Sequence, residues 1–361
     1  MKRYALLVLM CLLPFLPALA ETTPESVLDS LDTGALETLF ESAGGENFRD
    51  TVLRLARGET VLSAQELLKA LSDAFLSALF GSLKRLPLFV APCVLCGAAA
   101  RAAYAACYLL LAGLLVRDLS VYMALVRDAV TRMAGVMQAL FPLLLTLLAA
   151  IGAASSAFFG PAVVAAGGAL TTVIEQVTLR CALASAVTGI LNNLSEGMRL
   201  KRLSSLFRQM AAWTLGVSFT VFLGVTAAQG MGAAAADGVT LRAAKYAADN
   251  FIPVVGGMFA DTMDTLMGCS LLIKNAVGVT GLFVLLSASL PQIAQAAAGV
   301  LLYRGAAALL SPVGDERLVK CLNDFSVALM LLLVVLLSVF AMFILLAAQL
   351  LSVGNRTVGY L

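Results

Sequence analysis

Residues 325–355 read FSVALMLLLVVLLSVFAMFILLAAQLLSVGN, a run of 31 residues without a single charged side chain. A helix needs about 20 residues to cross the hydrocarbon core of a bilayer, because it rises about 1.5 Å per residue through a layer about 30 Å thick. The run is therefore long enough for a transmembrane helix. A bilayer offers no water to unpaired backbone groups, so we expect the chain to satisfy them as helix.

Uncharged intervals recur upstream and predict an all-α, polytopic membrane protein. Three more of them cover residues 133–174, 209–236 and 275–303, with 42, 28 and 29 residues. The first is long enough for two crossings and predicts a hairpin, with a break between Gly152 and Pro161 and with Glu175 at its end. Adding the stretches on either side of Arg101 and residues 181–195, we expect six to eight helices.

The composition excludes several classes of function. Hydrophobic residues make up 61% of the chain and charged residues 13%, and 24 basic side chains nearly balance 22 acidic ones, which gives no basic surface for nucleic acid. Without histidine there is no serine–histidine triad and no HExxH zinc site. Cys93 and Cys96 have redox spacing but lie in an apolar segment, which favours buried small side chains. We predict a non-enzymatic protein with no catalytic, cofactor or metal site.

The first 20 residues have the pattern of a secretory signal peptide. Lys2 and Arg3 precede an uncharged segment, residues 4–19, and Ala18 and Ala20 are the small residues that signal peptidase accepts. We expect cleavage after Ala20, with an uncleaved anchor as the alternative. In both cases the following segment begins outside the cytoplasm.

Residues 21–80 predict a small extracytoplasmic helical head. They contain eleven acidic and four basic side chains, a composition compatible with the outer side of a membrane. Thr23 before Pro24 predicts one helix start, and Ser63 with Glu66 forms a capping box for another. The head is either a docking surface for other exported proteins or an amphipathic collar on the bilayer.

The densest basic cluster indicates the orientation of the multi-span transmembrane domain, residues 81–361. Arg199, Lys201, Arg202 and Arg208 fall within ten residues, and positively charged loops stay in the cytoplasm. The segment is also amphipathic. It is therefore either a helix lying on the headgroups or a platform for a cytoplasmic partner such as an ATPase.

A polar island, residues 237–281, interrupts the apolar segments. Asn250 to Gly257 includes Pro253 and paired glycines, which weaken continuous helix and suit a loop or a re-entrant element. Lys274 stands in an apolar run and predicts an acidic partner. The island is either a polar pathway or assembly joint within the protein, or an external loop with a snorkelling Lys274. The candidate pore or assembly residues are Lys245, Asp249, Asn250, Pro253, Gly256, Asp261, Asp264, Lys274 and Asn275.

Two other functions are weighed against an assembly role. A broken polar segment among spans is typical of secondary transporters, but the chain shows no corresponding pair of broken segments in two halves. Asp261 and Asp264 suit an intramembrane aspartyl enzyme only weakly, because both lie in one short segment and the GxGD context is absent. Nearby, Gly278 and Gly281 allow a close approach of neighbouring helices.

Segments of the polar island resemble one known family. Residues 237–245 read DGVTLRAAK, residues 250–259 read NFIPVVGGMF and residues 272–278 read LIKNAVG. With Asp261, Asp264 and Thr265 they resemble the signature block of the stage III sporulation protein AE family of endospore-forming Firmicutes. The resemblance extends over nearly the whole chain, although the head and the first two spans match only in character.

The resemblance implies a mother-cell protein of the outer forespore membrane. Members of this family are encoded with other stage III sporulation proteins. Together these proteins form a channel or feeding apparatus between the two cells, which also includes the forespore's stage II sporulation protein Q as an indirect partner. That apparatus resembles bacterial secretion systems, with ring-forming subunits and a cytoplasmic ATPase as partners. The family has no established catalytic residues. The expected function is a multi-pass component of this complex, and the alternative is a stand-alone secondary transporter of a small solute.

Overall fold

The computed structural model describes residues 23–59, 64–97, 101–151, 156–193, 200–251, 256–312 and 315–352, and every regular element among them is helical, as predicted. Three short helices come first: α1 (Pro24–Asp29), α2 (Gly34–Ser42) and α3 (Phe48–Ala56). Longer helices follow: α4 (Ala64–Leu83), α5 (Leu86–Gly97), α6 (Arg101–Ala150), α7 (Ser156–Val173), α8 (Leu179–Asn192), α9 (Lys201–Phe251), α10 (Gly256–Leu310) and α11 (Glu316–Ser352). A π-helical turn, Ile174–Thr178, joins α7 to α8. The predicted signal peptide, residues 1–20, and Ser63 of the predicted capping box lie outside the described residues.

The three short helices pack against α10. Thr23 caps α1 as predicted, because its side chain accepts a hydrogen bond from the Ser26 amide. Phe40 of α2 contacts both Phe48 of α3 and Phe283 of α10, with ring centroids 5.8 Å and 6.3 Å away. Aromatic rings dominate the energetics of such small contacts. The short helices are therefore anchored on a long apolar helix.

Six helical segments within the described residues are long and apolar enough to cross a membrane: Leu68–Pro92, Ala106–Ala150, Ala165–Asn192, Lys201–Ala228, Thr265–Leu310 and Glu316–Ser352. Six is the lower limit of the predicted range of six to eight. In two places, stretches that were predicted to be separate crossings form one continuous helical segment. The apolar stretches before and after residues 117–132 both belong to α6, and those before and after Glu175 both belong to α7–α8. Glu175 therefore does not end the hairpin. Of the predicted break, Gly160 and Pro161 belong to α7, and residues 152–155 lie outside the described residues.

α6 and α11 both run antiparallel to α10, in a fixed register. Three contacts align α6 with α10: Asp118 with Tyr303, Tyr122 with Gly299 and Leu140 with Gly281. Each step forward along α6 is matched by an equal step back along α10. α11 is also antiparallel to α10, since Phe325 lies against Tyr303 and Leu351 lies against Lys274. The uncharged runs of α10 and α11 thus lie side by side, and we call the apolar layer that they share the membrane layer.

The end of the bundle where α10 stops and α11 starts is rich in basic residues. The contact of Phe89 with Tyr303 brings the connection between α4 and α5 to this end, and a hydrogen bond from Asn193 to Asp324 brings the connection between α8 and α9. Arg199 of the predicted basic cluster lies outside the described residues. The other members, Lys201, Arg202 and Arg208, lie in the first turns of α9. We call this the basic end; its residues include Lys84, Arg85, Lys201, Arg202, Arg304, Arg317 and Lys320.

Candidate functional site

Two of the predicted site residues, Lys274 and Asn275, have described side chains, and both lie on α10. The side chains of Lys245, Asp249, Asn250, Asp261 and Asp264 lie outside the part of the molecule that the structure describes, and Pro253 lies outside it altogether. In the polar island, the backbone is described for more residues than the side chains are. Of the predicted loop at residues 250–257, the first two residues end α9 and the last two begin α10.

Lys274 is buried between α10 and α11. Its side chain has no exposed surface, and its Nζ donates a hydrogen bond to the main-chain carbonyl of Leu351, 3.0 Å away. Leu351 lies in the last turn of α11, where carbonyl groups lack partners within the helix and form the negative end of the helix dipole. The sequence predicts an acidic partner for Lys274, and the structure gives it this backbone oxygen as an acceptor.

Two glycines allow α11 and α6 to approach α10 beside this lysine. A Cβ atom at Gly278, one turn after Lys274, would overlap the side chain of Leu351. A Cβ atom at Gly281 would overlap the side chain of Leu140 on α6. The close approach of helices that Gly278 and Gly281 allow is therefore present at both positions. We call the seam formed by Lys274, Gly278 and Gly281 the Lys274 joint.

Polar atoms near the Lys274 joint are not all satisfied within the described part of the chain. Oδ1 of Asn275 is buried and has no hydrogen-bond partner among the described residues. The same holds for Oε1 of Gln292, farther along α10, and for Oγ1 of Thr178 in the π-helical turn. A buried acceptor without a donor costs free energy. Asn275 is therefore the polar group of this region that another donor would stabilise.

A second polar contact ties α6 to α10 at the other end of the uncharged run. The hydroxyl of Tyr303 donates to Oδ2 of Asp118 at 2.5 Å. The buried Tyr303 ring lies between Phe89 and Phe325, with centroids 5.1 Å and 4.6 Å away. Sequence reasoning missed this pair because the two polar residues are 185 positions apart. No local spacing could have revealed it.

The described side chains of the Lys274 joint hold helices together. Within the described residues, no group of three or more histidine, cysteine, aspartate or glutamate side chains is arranged to hold a metal ion. The cysteines with described side chains, Cys107, Cys181, Cys269 and Cys321, form no disulfide bonds. The chemistry available at this joint is hydrogen bonding and close packing, both of which position helices.

Comparison with known proteins identifies the relatives of this chain. The family model for stage III sporulation protein AE matches residues 46–354, which include the Lys274 joint. Stage III sporulation protein AE of Bacillus subtilis (strain 168) is 31% identical over 359 residues, covering 94% of this chain and 90% of that protein. No solved structure matches the chain. The chain therefore belongs to the stage III sporulation protein AE family.

Proposed function

We propose that this protein is a multi-pass membrane component of the complex that joins mother cell and forespore during endospore development. Membership of the stage III sporulation protein AE family supports a role in sporulation together with other sporulation proteins. The observation that carries a structural role is the Lys274 joint. Its buried lysine and its glycines fasten α10 to α11 and α6, which builds a firm membrane base on which partners can assemble.

The course of the helices favours such a base over a stand-alone transporter. Secondary transporters build their substrate sites near the middle of the membrane from interrupted helices. α6, α10 and α11 are helical without interruption through the membrane layer. The two buried polar contacts that fasten α10, at Lys274 and at Tyr303, lie at opposite ends of its uncharged run.

The distribution of charge suggests an orientation for the bundle. Lysine and arginine near the ends of spans stay in the cytoplasm, so we place the basic end inside and the Lys274 joint at the outer side. The six candidate spans then begin and end outside, although Phe40 of the predicted head contacts Phe283 within the uncharged run of α10. A cytoplasmic ATPase would dock at the basic end.

In the same orientation, the polar island lies on the outer side of the membrane, where partner proteins could bind it. α10 extends from Lys274 back to Gly256, and at about 1.5 Å per residue this segment is about 27 Å long. With the end of α9 it would project from the outer side of the mother-cell membrane. The ring-forming stage III sporulation proteins would bind there and connect the protein indirectly to the forespore's stage II sporulation protein Q.

Purification from sporulating cells tests the proposed role. We expect the tagged full-length protein, extracted in mild detergent, to co-purify with ring-forming stage III sporulation proteins and with the ATPase. Deletion of its gene should stop forespore development and reduce the yield of heat-resistant spores. Purification without these partners, together with uptake of a defined solute by liposomes that contain this protein alone, would support the transporter instead.

A further inference from the structure

α6 carries charged side chains at a depth where the register places it inside the membrane. The uncharged run of α10, residues 275–303, is longer than the stretch of about 20 residues that crosses the hydrocarbon core. Wherever a stretch of that length is placed within the run, it includes residues 284–294. By the antiparallel register, this segment lies opposite residues 127–137 of α6.

Three charged residues of α6, Arg127, Asp128 and Arg132, fall within that segment and are exposed on the surface of the chain. Nε of Arg132 donates to Oδ2 of Asp128 at 2.9 Å, yet 60% and 54% of these two side chains remain exposed. A neighbouring helix adds another charge at the same depth, because the hydroxyl of Thr131 donates to Oε1 of Glu175 at 3.4 Å. The charges thus form a continuous surface on two helices.

This surface needs a polar neighbour. We call it the charged strip; it consists of Arg127, Asp128, Thr131, Arg132 and Glu175. Charged side chains in the middle of a membrane are costly and face protein or water rather than lipid. Long side chains near helix ends can reach the headgroups, but Arg132 lies opposite residue 289 of α10, about five or more residues inside either end of such a stretch.

Both signs of charge occur at one depth in the charged strip, which makes it complementary to itself. A two-fold axis along the membrane normal would relate two copies and keep every residue at its own depth. Arg132 of one copy would then meet Asp128 or Glu175 of a second copy. Gly135, on the same face of α6 as Asp128 and Arg132, has nothing within 4 Å of where a Cβ would lie, which leaves room for a second helix.

We propose that the charged strip packs against the charged strip of a second copy of this chain, so that the protein is a homodimer in the membrane. Opposite charges of the two copies pair across the two-fold axis, and the interface excludes lipid from them. This inference is independent of the function proposed above, because self-association can be measured without any other sporulation protein.

Disulfide cross-linking in membranes tests the homodimer. Thr131→Cys is introduced into the full-length chain after its native cysteines are replaced by alanine. Val217→Cys is the matched control, since Val217 is 53% exposed in the middle of the Lys201–Ala228 segment but lies outside the charged strip. We expect oxidation to give a band of twice the chain mass for Thr131→Cys, roughly tenfold stronger than for the control.

Three results would overturn the proposal. The first is equal cross-linking of Thr131→Cys and Val217→Cys. The second is a cross-link of Thr131→Cys to a protein of another mass, which would identify a different occupant. The third is reaction of Thr131→Cys with a membrane-impermeant thiol reagent when no dimer forms, because the charged strip would then line water.

Charge reversal provides a second measurement, by energy transfer between labelled copies in liposomes. Arg132→Glu places like charges at the interface and should lower the dimer fraction roughly tenfold or more. Adding Glu175→Arg should restore the dimer, whereas Lys320→Glu at the basic end should leave it unchanged. Unchanged energy transfer in Arg132→Glu would contradict the proposal. If Arg132→Glu fails to insert into the membrane, the cross-linking of Thr131→Cys still decides.

Discussion

Lys274→Ala is expected to lower the free energy of unfolding by about 2–5 kcal/mol, because it removes a fully buried side chain and leaves a cavity between α10 and α11. It also deprives the Leu351 carbonyl of a donor. Denaturation of the purified protein in mixed detergent micelles measures the change. In sporulating cells the same variant should reach the membrane and yield fewer heat-resistant spores.

Two matched variants separate the hydrogen bond from the packing at this position. Lys274→Met keeps most of the side-chain volume and loses only the donor and the charge, so its cost should be smaller than that of Lys274→Ala. Lys320→Ala removes a lysine that is 61% exposed, and it should leave the stability unchanged. Wild-type stability and normal spore yield of Lys274→Ala would show that the Lys274 joint has no structural role.

Gly281→Ala is expected to cost about 1–3 kcal/mol, because the added methyl overlaps the fully buried Leu140. Leu140 has little freedom to move away, since it lies in the packed contact between α6 and α10. Gly268→Ala is the matched control on the same helix. A Cβ at Gly268 meets nothing within 4 Å, so this change should be neutral or stabilise α10 by up to about 1 kcal/mol.

Denaturation of the two glycine variants in the same micelles gives the comparison. The physical basis is that close packing, rather than helix propensity, requires glycine at position 281. Equal stabilities of Gly281→Ala and Gly268→Ala would mean that α6 and α10 are not in close contact at Leu140. The register from which the depth of the charged strip follows would then also be wrong.

Helix type and approximate span positions could be predicted because they depend on local chemistry. The uncharged run after Asp324 becomes the greater part of α11, and Thr23 caps a helix where its position before Pro24 predicts one. The number of spans was harder to predict. Charged residues predict the ends of spans, whereas α6 continues through Arg127 and Arg132 without a break. Such charges are tolerated inside a span when another surface covers them, which spacing along one helix does not reveal.

In the candidate site, too, features that depend on local sequence could be predicted and features that depend on helix packing could not. Lys274 was predicted from its apolar neighbours, because an ionisable group in such a run is rarely left to lipid. The hydrogen bond to Leu351 was not predicted, since this carbonyl belongs to the end of another helix and any residue type supplies such an oxygen. The bond between Tyr303 and Asp118 likewise depends on how three helices pack, and neither residue stands out in the sequence.

Thiol labelling of the polar island tests most directly whether this part of the protein projects from the outer side for assembly. Asp249→Cys, Asp261→Cys and Ile273→Cys are placed singly in a cysteine-free chain and exposed, in sporulating cells, to a membrane-impermeant thiol reagent. We predict labelling from the outer side at positions 249 and 261, and protection at position 273, whose native side chain is fully buried. Labelling that continues periodically past Lys274 into the uncharged run would contradict this arrangement and assign an aqueous path to α10 itself.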